Sequence, residues 1–108
     1  MPKHVRFGSV GLWLLVGSLA GVTLPAEAGG DPVAGAAKAG VCVACHGADG
    51  IGKARQYPNL RRQKAAYLEK QLKAFRDGER KDPFMSAMAK PLSDRDISNL
   101  AAYFERIR

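Results

Sequence analysis

Cys42 and Cys45 are the only cysteines of the chain, and His46 follows the second directly, in the run "GVCVACHGADG" at residues 40–50. Three chemistries use such a triplet: a redox dithiol, half of a zinc site, and thioether attachment of haem. Structural zinc takes four ligands, and beyond residue 28 the chain offers only these three Cys and His side chains. A zinc site would need a carboxylate or a second molecule to complete it. A thioredoxin-like dithiol belongs in a βαβ setting, and no run of alternating Val, Ile and Thr is present to build strands. The haem reading has a geometric rationale. Positions i and i+3 of a helical turn put both thiols on one face, where they meet two vinyl groups along one porphyrin edge. His46, at i+4 from Cys42, reaches the iron from the same side. The sixth iron position then calls for a methionine, a lysine or water. Met85 and Met88 are the only methionines after Met1, and spacing alone favours neither over gap-filling core positions.

Three helical patterns are available to position these groups. "DPVAGAAKAGVCVACHG" opens with Asp31 as N-cap and Pro32 at the first helical position, and Gly47 stops it. "RQKAAYLEKQLKAFRDG" sets Tyr67, Leu68, Gln71, Leu72 and Phe75 on one side and closes at Gly78. "LSDRDISNLAAYFERIR" has Ser93 as N-cap with Asp96 three residues on, a capping box with Asp in place of Glu. Behind it Ile97, Leu100, Ala101, Phe104 and Ile107 form an apolar stripe at helical spacing. Two long loops, "GADGIGKARQYPNL" and "GERKDPFMSAMAKP", lie between the helices. Loops of that length in a small domain usually carry function. The chain is expected to be an all-α domain whose helices enclose something they cannot fill alone.

The 108 residues allow one small domain. Lys3 and Arg6, an apolar run from Phe7 to Leu24, and the small-residue site Ala26-Glu27-Ala28 have the order of a secretory signal. The alternative is a retained membrane anchor, but glycine, serine and threonine dilute a run that is near the ~18-residue spanning threshold. Residues 1–28 are read as a cleaved signal peptide and residues 29–108 as the folded domain. Of 17 Lys and Arg and 10 Asp and Glu, only Lys3, Arg6 and Glu27 precede Gly29, which leaves a net charge of +6. A domain of this size gains only a few kcal/mol from its core, so a staple or cofactor is expected. Export, the single Cys-x-x-Cys-His and the all-α pattern together favour covalent haem.

The segments "VCVACHGADGIG" and "YPNLRRQKAAYLEKQLKAFRDGERKDPFMSAMAKPLSDRDISNLAAYF" resemble the class I c-type cytochromes, and in particular one half of the periplasmic dihaem kind. The likeness runs over nearly all of residues 31–106. It implies a class I cytochrome c fold, three to four helices wrapped around one covalently attached haem c. It implies Cys42 and Cys45 as the thioether positions and His46 as proximal ligand. The distal methionine of the family stands seven residues before the Leu of "LSD", here Met85, and Met88 falls where an aliphatic core residue is usual. The proline whose carbonyl accepts the proximal histidine's Nδ1–H matches Pro58. Where the family pattern has Gly before Gln, this chain has Arg62-Gln63, which adds a positive charge near the haem.

With both axial positions filled no coordination site is left for a substrate, so the resemblance implies a periplasmic one-electron carrier, not an enzyme. Leu60, Leu68, Leu72, Phe75, Phe84, Leu100 and Phe104 are expected to bury the porphyrin, as they would an ordinary core. Lys53, Arg55, Arg61, Arg62 and Lys64 have no acidic residue among them. They form either a solvated face or a docking patch for redox partner proteins with acidic surfaces. Docking on a membrane respiratory complex would use the same chemistry. An exported protein does not meet nucleic acid. Two other readings stay open: an open-iron gas sensor or weak peroxidase, and a cytochrome subunit of a larger oxidoreductase.

Overall fold

Among the described residues five helices follow one another: α1 (Pro32–Lys38), α2 (Gly40–His46), α3 (Ala65–Asp77), α4 (Pro83–Ala89) and α5 (Asp94–Arg106). This computed structural model describes residues 29–108 without a break and, of the first 28, residues 2, 3, 8, 9, 11, 12, 14, 16–18, 20 and 21. The Ala26-Glu27-Ala28 site lies outside the described residues. Among the described residues no helix is long and apolar enough to cross a membrane, and there is no strand.

The first expected helix is two. Ala39, with ψ −6°, donates its N–H to the Ala36 carbonyl in a tight turn. Its own carbonyl accepts from both Cys42 and Val43 and starts α2 afresh. Asp31 caps α1 by accepting from the Val33 N–H at 2.9 Å, with Pro32 in the first turn. A fifth helix was not expected: residues 83–89, read as loop, coil into α4. Its signal repeats that of α1, since Asp82 precedes Pro83 and accepts from the Phe84 and Met85 N–H groups at 2.9 and 2.8 Å.

The frame is the crossing of α1 on α5, with α3 packed on the other side of α5 and α4 resting on α3. The α1–α5 approach depends on Gly35, where a Cβ would overlap the Asn99 carbonyl. Asn99, buried in the middle of α5, accepts from the Asp31 N–H at 2.8 Å and so fixes the start of α1. The core joins Ala39, Leu68, Leu100, Ala101 and Phe104, with Tyr103 edge-on to Phe104 at 5.0 Å. Arg76 closes the far end. It donates to the Leu92 carbonyl and to Asp94, which ties the end of α3 to the start of α5 and holds α4 between them.

The α5 capping box is formed in full. Ser93 Oγ accepts from the Asp96 N–H at 3.0 Å, and Asp96 accepts from the Ser93 N–H at 3.1 Å. Ser93→Ala is expected to cost about 1 kcal/mol. The Ser93 backbone N–H, then its hydroxyl and Lys38, hold the Asp96 carboxyl below the usual carboxylate range. A lowered folded-state pKa contributes stability above the unfolded value that is lost as pH falls through the folded one. Thermal melts of wild type and Asp96→Asn should therefore differ at neutral pH, with the difference starting to shrink below about pH 4 and vanishing once pH has fallen through the lowered folded-state value.

Candidate functional site

Cys42, Cys45 and His46 come from one short helix, α2, and the i, i+3, i+4 spacing places them together on it. Both cysteines are free thiols, half-buried. Cys42 packs against the core cluster, and burial pushes its thiol pKa up. A protonated, partly enclosed thiol is a poor thiolate nucleophile and a poor zinc ligand. Among the described residues no three His, Cys, Asp or Glu side chains converge to hold a metal ion.

His46 is 7% exposed, the most enclosed ionisable side chain of the site. Its Nδ1 lies 2.8 Å from the Pro58 carbonyl oxygen. A carbonyl only accepts, so Nδ1 carries the proton, and in the neutral ring Nε2 presents a lone pair. The loop after α2 places that carbonyl. Gly47, at φ 86°, ends the helix in a conformation that an L side chain resists, and a Cβ there would strike the Ile51 carbonyl. The Gly50 carbonyl accepts from the Leu60 and Arg61 N–H groups at 2.8 and 3.0 Å. Asn59 Oδ1 accepts from the Gly52 N–H at 2.8 Å, and the Cys45 carbonyl accepts from the Lys53 N–H at 3.0 Å. The two arms of the loop are thus stitched on either side of Pro58.

Helical structure in residues 83–89 separates the two methionines, which spacing could not. Met85 and Ala89, four apart, lie on one stripe of α4, half-buried and buried. Phe84 and Met88, also four apart, lie on the other and are 77% and 47% exposed. Two expectations are corrected here: Phe84 does not line the interior, and Met88 is not a core residue. Packing of α4 on α3 turns the Met85–Ala89 stripe inward, and Phe84, about 100° around the helix from Met85, is carried outward. Tyr67, expected on the inner side of α3, is also 48% exposed, whereas Leu68 and Phe75 are buried and Leu72 half-buried. Among the described residues only Ile97 and Leu100 are large side chains sealed from solvent, while Val43, Leu60, Leu72 and Met85 remain half-open. A core that does not close on itself, two free thiols, an imidazole with Nε2 available and a thioether sulfur in one domain fit a haem c.

Residues 33–107 match the Cytochrome c family. The chain is 55% identical over 78 residues to cytochrome c-554(548) of Halomonas halodenitrificans, covering 69% of this chain and 94% of that one. It is 48% identical over 84 residues to cytochrome c4 of Pseudomonas aeruginosa, covering 78% of this chain but 42% of that one. In three dimensions it matches the crystal structure of reduced recombinant cytochrome c4 from Pseudomonas stutzeri with a TM-score of 0.69 and 41% identity, over 73% of this chain and 46% of that one. The chain therefore spans nearly all of the Halomonas protein and less than half of either cytochrome c4. It belongs to the cytochrome c family and has that family's all-α class I fold. With the family comes a covalently bound haem c and a part in electron transfer. The family's glycine before Gln63 also has a counterpart in the backbone: Arg62, in its place, adopts φ 57°.

Proposed function

We propose that this protein is a periplasmic one-electron carrier, exported by residues 1–28 and folded as residues 29–108 around a single haem c. Cys42 and Cys45 form the thioethers, His46 and Met85 occupy the axial positions, and Pro58 holds the histidine. Haem c supplies the ferric–ferrous couple; the protein supplies the environment that sets its potential and keeps other chemistry out. The observation that carries this reading is the 2.8 Å contact of His46 Nδ1 with the Pro58 carbonyl. Such a bond fixes the ring plane, directs Nε2 away from the loop and raises its basicity as a ligand. Support for Met85 comes from its place on the inward stripe of α4, with Met88 facing solvent. A thioether ligand favours the reduced state relative to a second histidine. Buried Leu68, Phe75, Leu100 and Phe104 exclude water and act in the same direction.

Lys53, Arg55, Arg61, Arg62 and Lys64 are all exposed, as a patch that steers acidic redox proteins requires. The test is the rate at which ferrous protein is oxidised by hexacyanoferrate(III), an anion, and by tris(phenanthroline)cobalt(III), a cation. Raising ionic strength from about 10 to about 200 mM should slow the first by threefold or more and leave the second equal or faster. Equal salt dependence for the two oxidants would contradict the patch. Failure of the protein to cycle reversibly by one electron would contradict the carrier.

A further inference from the structure

Helix α4, which carries Met85, has seven residues, too few to stay coiled on its own in water. It packs on α3, and among the described residues no comparable packing joins it to α1, α2 or α5. Its roll about its own axis therefore depends on how its two ends are held. That roll matters, because Met85 and Met88 are three residues apart and only ~60° around the helix.

Much of what stabilises α4 does not fix its roll. Asp82 accepts from the Phe84 and Met85 N–H groups, and its own N–H donates to Ser86 Oγ at 3.1 Å. At the other end the Lys90 N–H returns to the Ser86 carbonyl and the Leu92 N–H to the Ala89 carbonyl, at 3.1 and 3.0 Å. All these bonds lie within the helix and its caps and would turn with it. The entry has a tie from outside at Arg80. Its N–H reaches the Ala74 carbonyl at 3.0 Å, and its guanidinium lies 4.5 Å over the Phe75 ring and 2.7 Å from Gln71 Oε1.

At the exit one side chain takes that part. Among the described residues only Arg76 hydrogen-bonds the segment 90–92 from another element, through Nη1 to the Leu92 carbonyl at 3.2 Å. The same nitrogen donates to Asp94 at 2.7 Å, while Nε and Nη2 fork onto Asp77 at 2.9 and 3.3 Å. The Asp77 and Asp94 side chains are 52% and 73% exposed, so these ion pairs contribute little by themselves. They fix the plane of a guanidinium that is itself mostly covered and aimed at the chain leaving α4. Ala89, fully buried just before that exit, shares the inward stripe with Met85.

We infer that Arg76 is the positioning residue of the distal ligand, clamping the exit of α4 so that the Met85 sulfur stays on the iron. The inference rests on the reading of Met85 as an axial ligand. Without the clamp the exit lifts, Ala89 leaves its seat and the helix is free to roll.

The test is the affinity of ferric holoprotein for imidazole. Imidazole binds the iron only where Met85 has left it, so a larger open fraction tightens the apparent affinity in proportion. Every variant is made on Met88→Ala, which removes the other thioether of α4. Arg76→Gln should bind imidazole about tenfold tighter or more, the scale of a lost hydrogen bond to a charged group. Arg76→Lys, which keeps the charge but not the fork, should bind it about threefold tighter. Asn99→Ala, which breaks the bond to Asp31 at the α1–α5 crossing, should lower the melting temperature and leave imidazole affinity within about twofold. Unchanged affinity in Arg76→Gln and Arg76→Lys would overturn the proposal; should Arg76→Gln not fold, an unchanged Arg76→Lys would do so alone. Equal tightening by Asn99→Ala would overturn it too, because opening would then follow global stability. A Met88→Ala parent that already binds imidazole as tightly as Met85→Ala would overturn the axial reading and the proposal together, an outcome distinct from failure of the clamp.

Discussion

Replacing Cys42 or Cys45 by alanine is expected to lower the yield of haem-bearing protein by about tenfold or more, and to leave the chain without haem largely unfolded. The segment from Gly29 to Arg108 is 80 residues long. A core in a domain of that size supplies at most ~3–5 kcal/mol, and among the described residues only Ile97 and Leu100 are large side chains sealed from water. A cofactor bound to the folded state and not to the unfolded one shifts the balance by mass action, and a covalent bond makes that gain permanent. The two thiols are not equivalent. Cys42 packs against the Leu68–Leu100–Phe104 cluster, so Cys42→Ala loses packing as well as attachment and should be the more damaging. Haem absorbance per milligram, with far-ultraviolet circular dichroism of the same samples, measures both effects. Full helicity in a haem-free variant would show that the helices hold themselves.

The second large effect is expected at Met85. Met85→Ala should leave haem attached, lower the reduction potential on the order of 100 mV or more, and admit CO. Met88→Ala should change neither, because Met88 shares the exposed stripe of α4 with Phe84. The pair is informative because the residues are three apart, chemically identical and carried by one seven-residue helix. Opposite behaviour of the two variants would mean that α4 turns its other stripe to the haem.

The sequence and the structure agree where local chemistry decides. Ser93 with Asp96, Asp31 with Pro32 and Gly78 marked helix ends by side-chain caps and a left-handed stop, and all three are found as expected. Helix α4 carried the same Asp-Pro signal at Asp82–Pro83, but seven residues between two prolines are too few to show a helical period. Without the helix, Met85 and Met88 could not be told apart by spacing, and Phe84 was placed inside. The break at Ala39 has only a weak residue signal in Gly40, which begins α2 without the positive φ of a helix stop, so the hydrogen bonds alone mark the turn. The contact of His46 with Pro58 spans twelve residues of irregular loop. No periodicity reaches across it, and only the resemblance pointed there. The departure at Arg62-Gln63 was legible as an unusual residue, but its meaning depended on φ, which sequence does not display.

The most direct test is the absorbance spectrum of the purified, reduced protein recorded with and without CO. A sharp low-spin c-type spectrum that CO does not move is the predicted result, with His46 and Met85 both on the iron. A spectrum that shifts with CO would contradict the closed site, and a colourless protein from a host able to attach haem would contradict the cofactor itself.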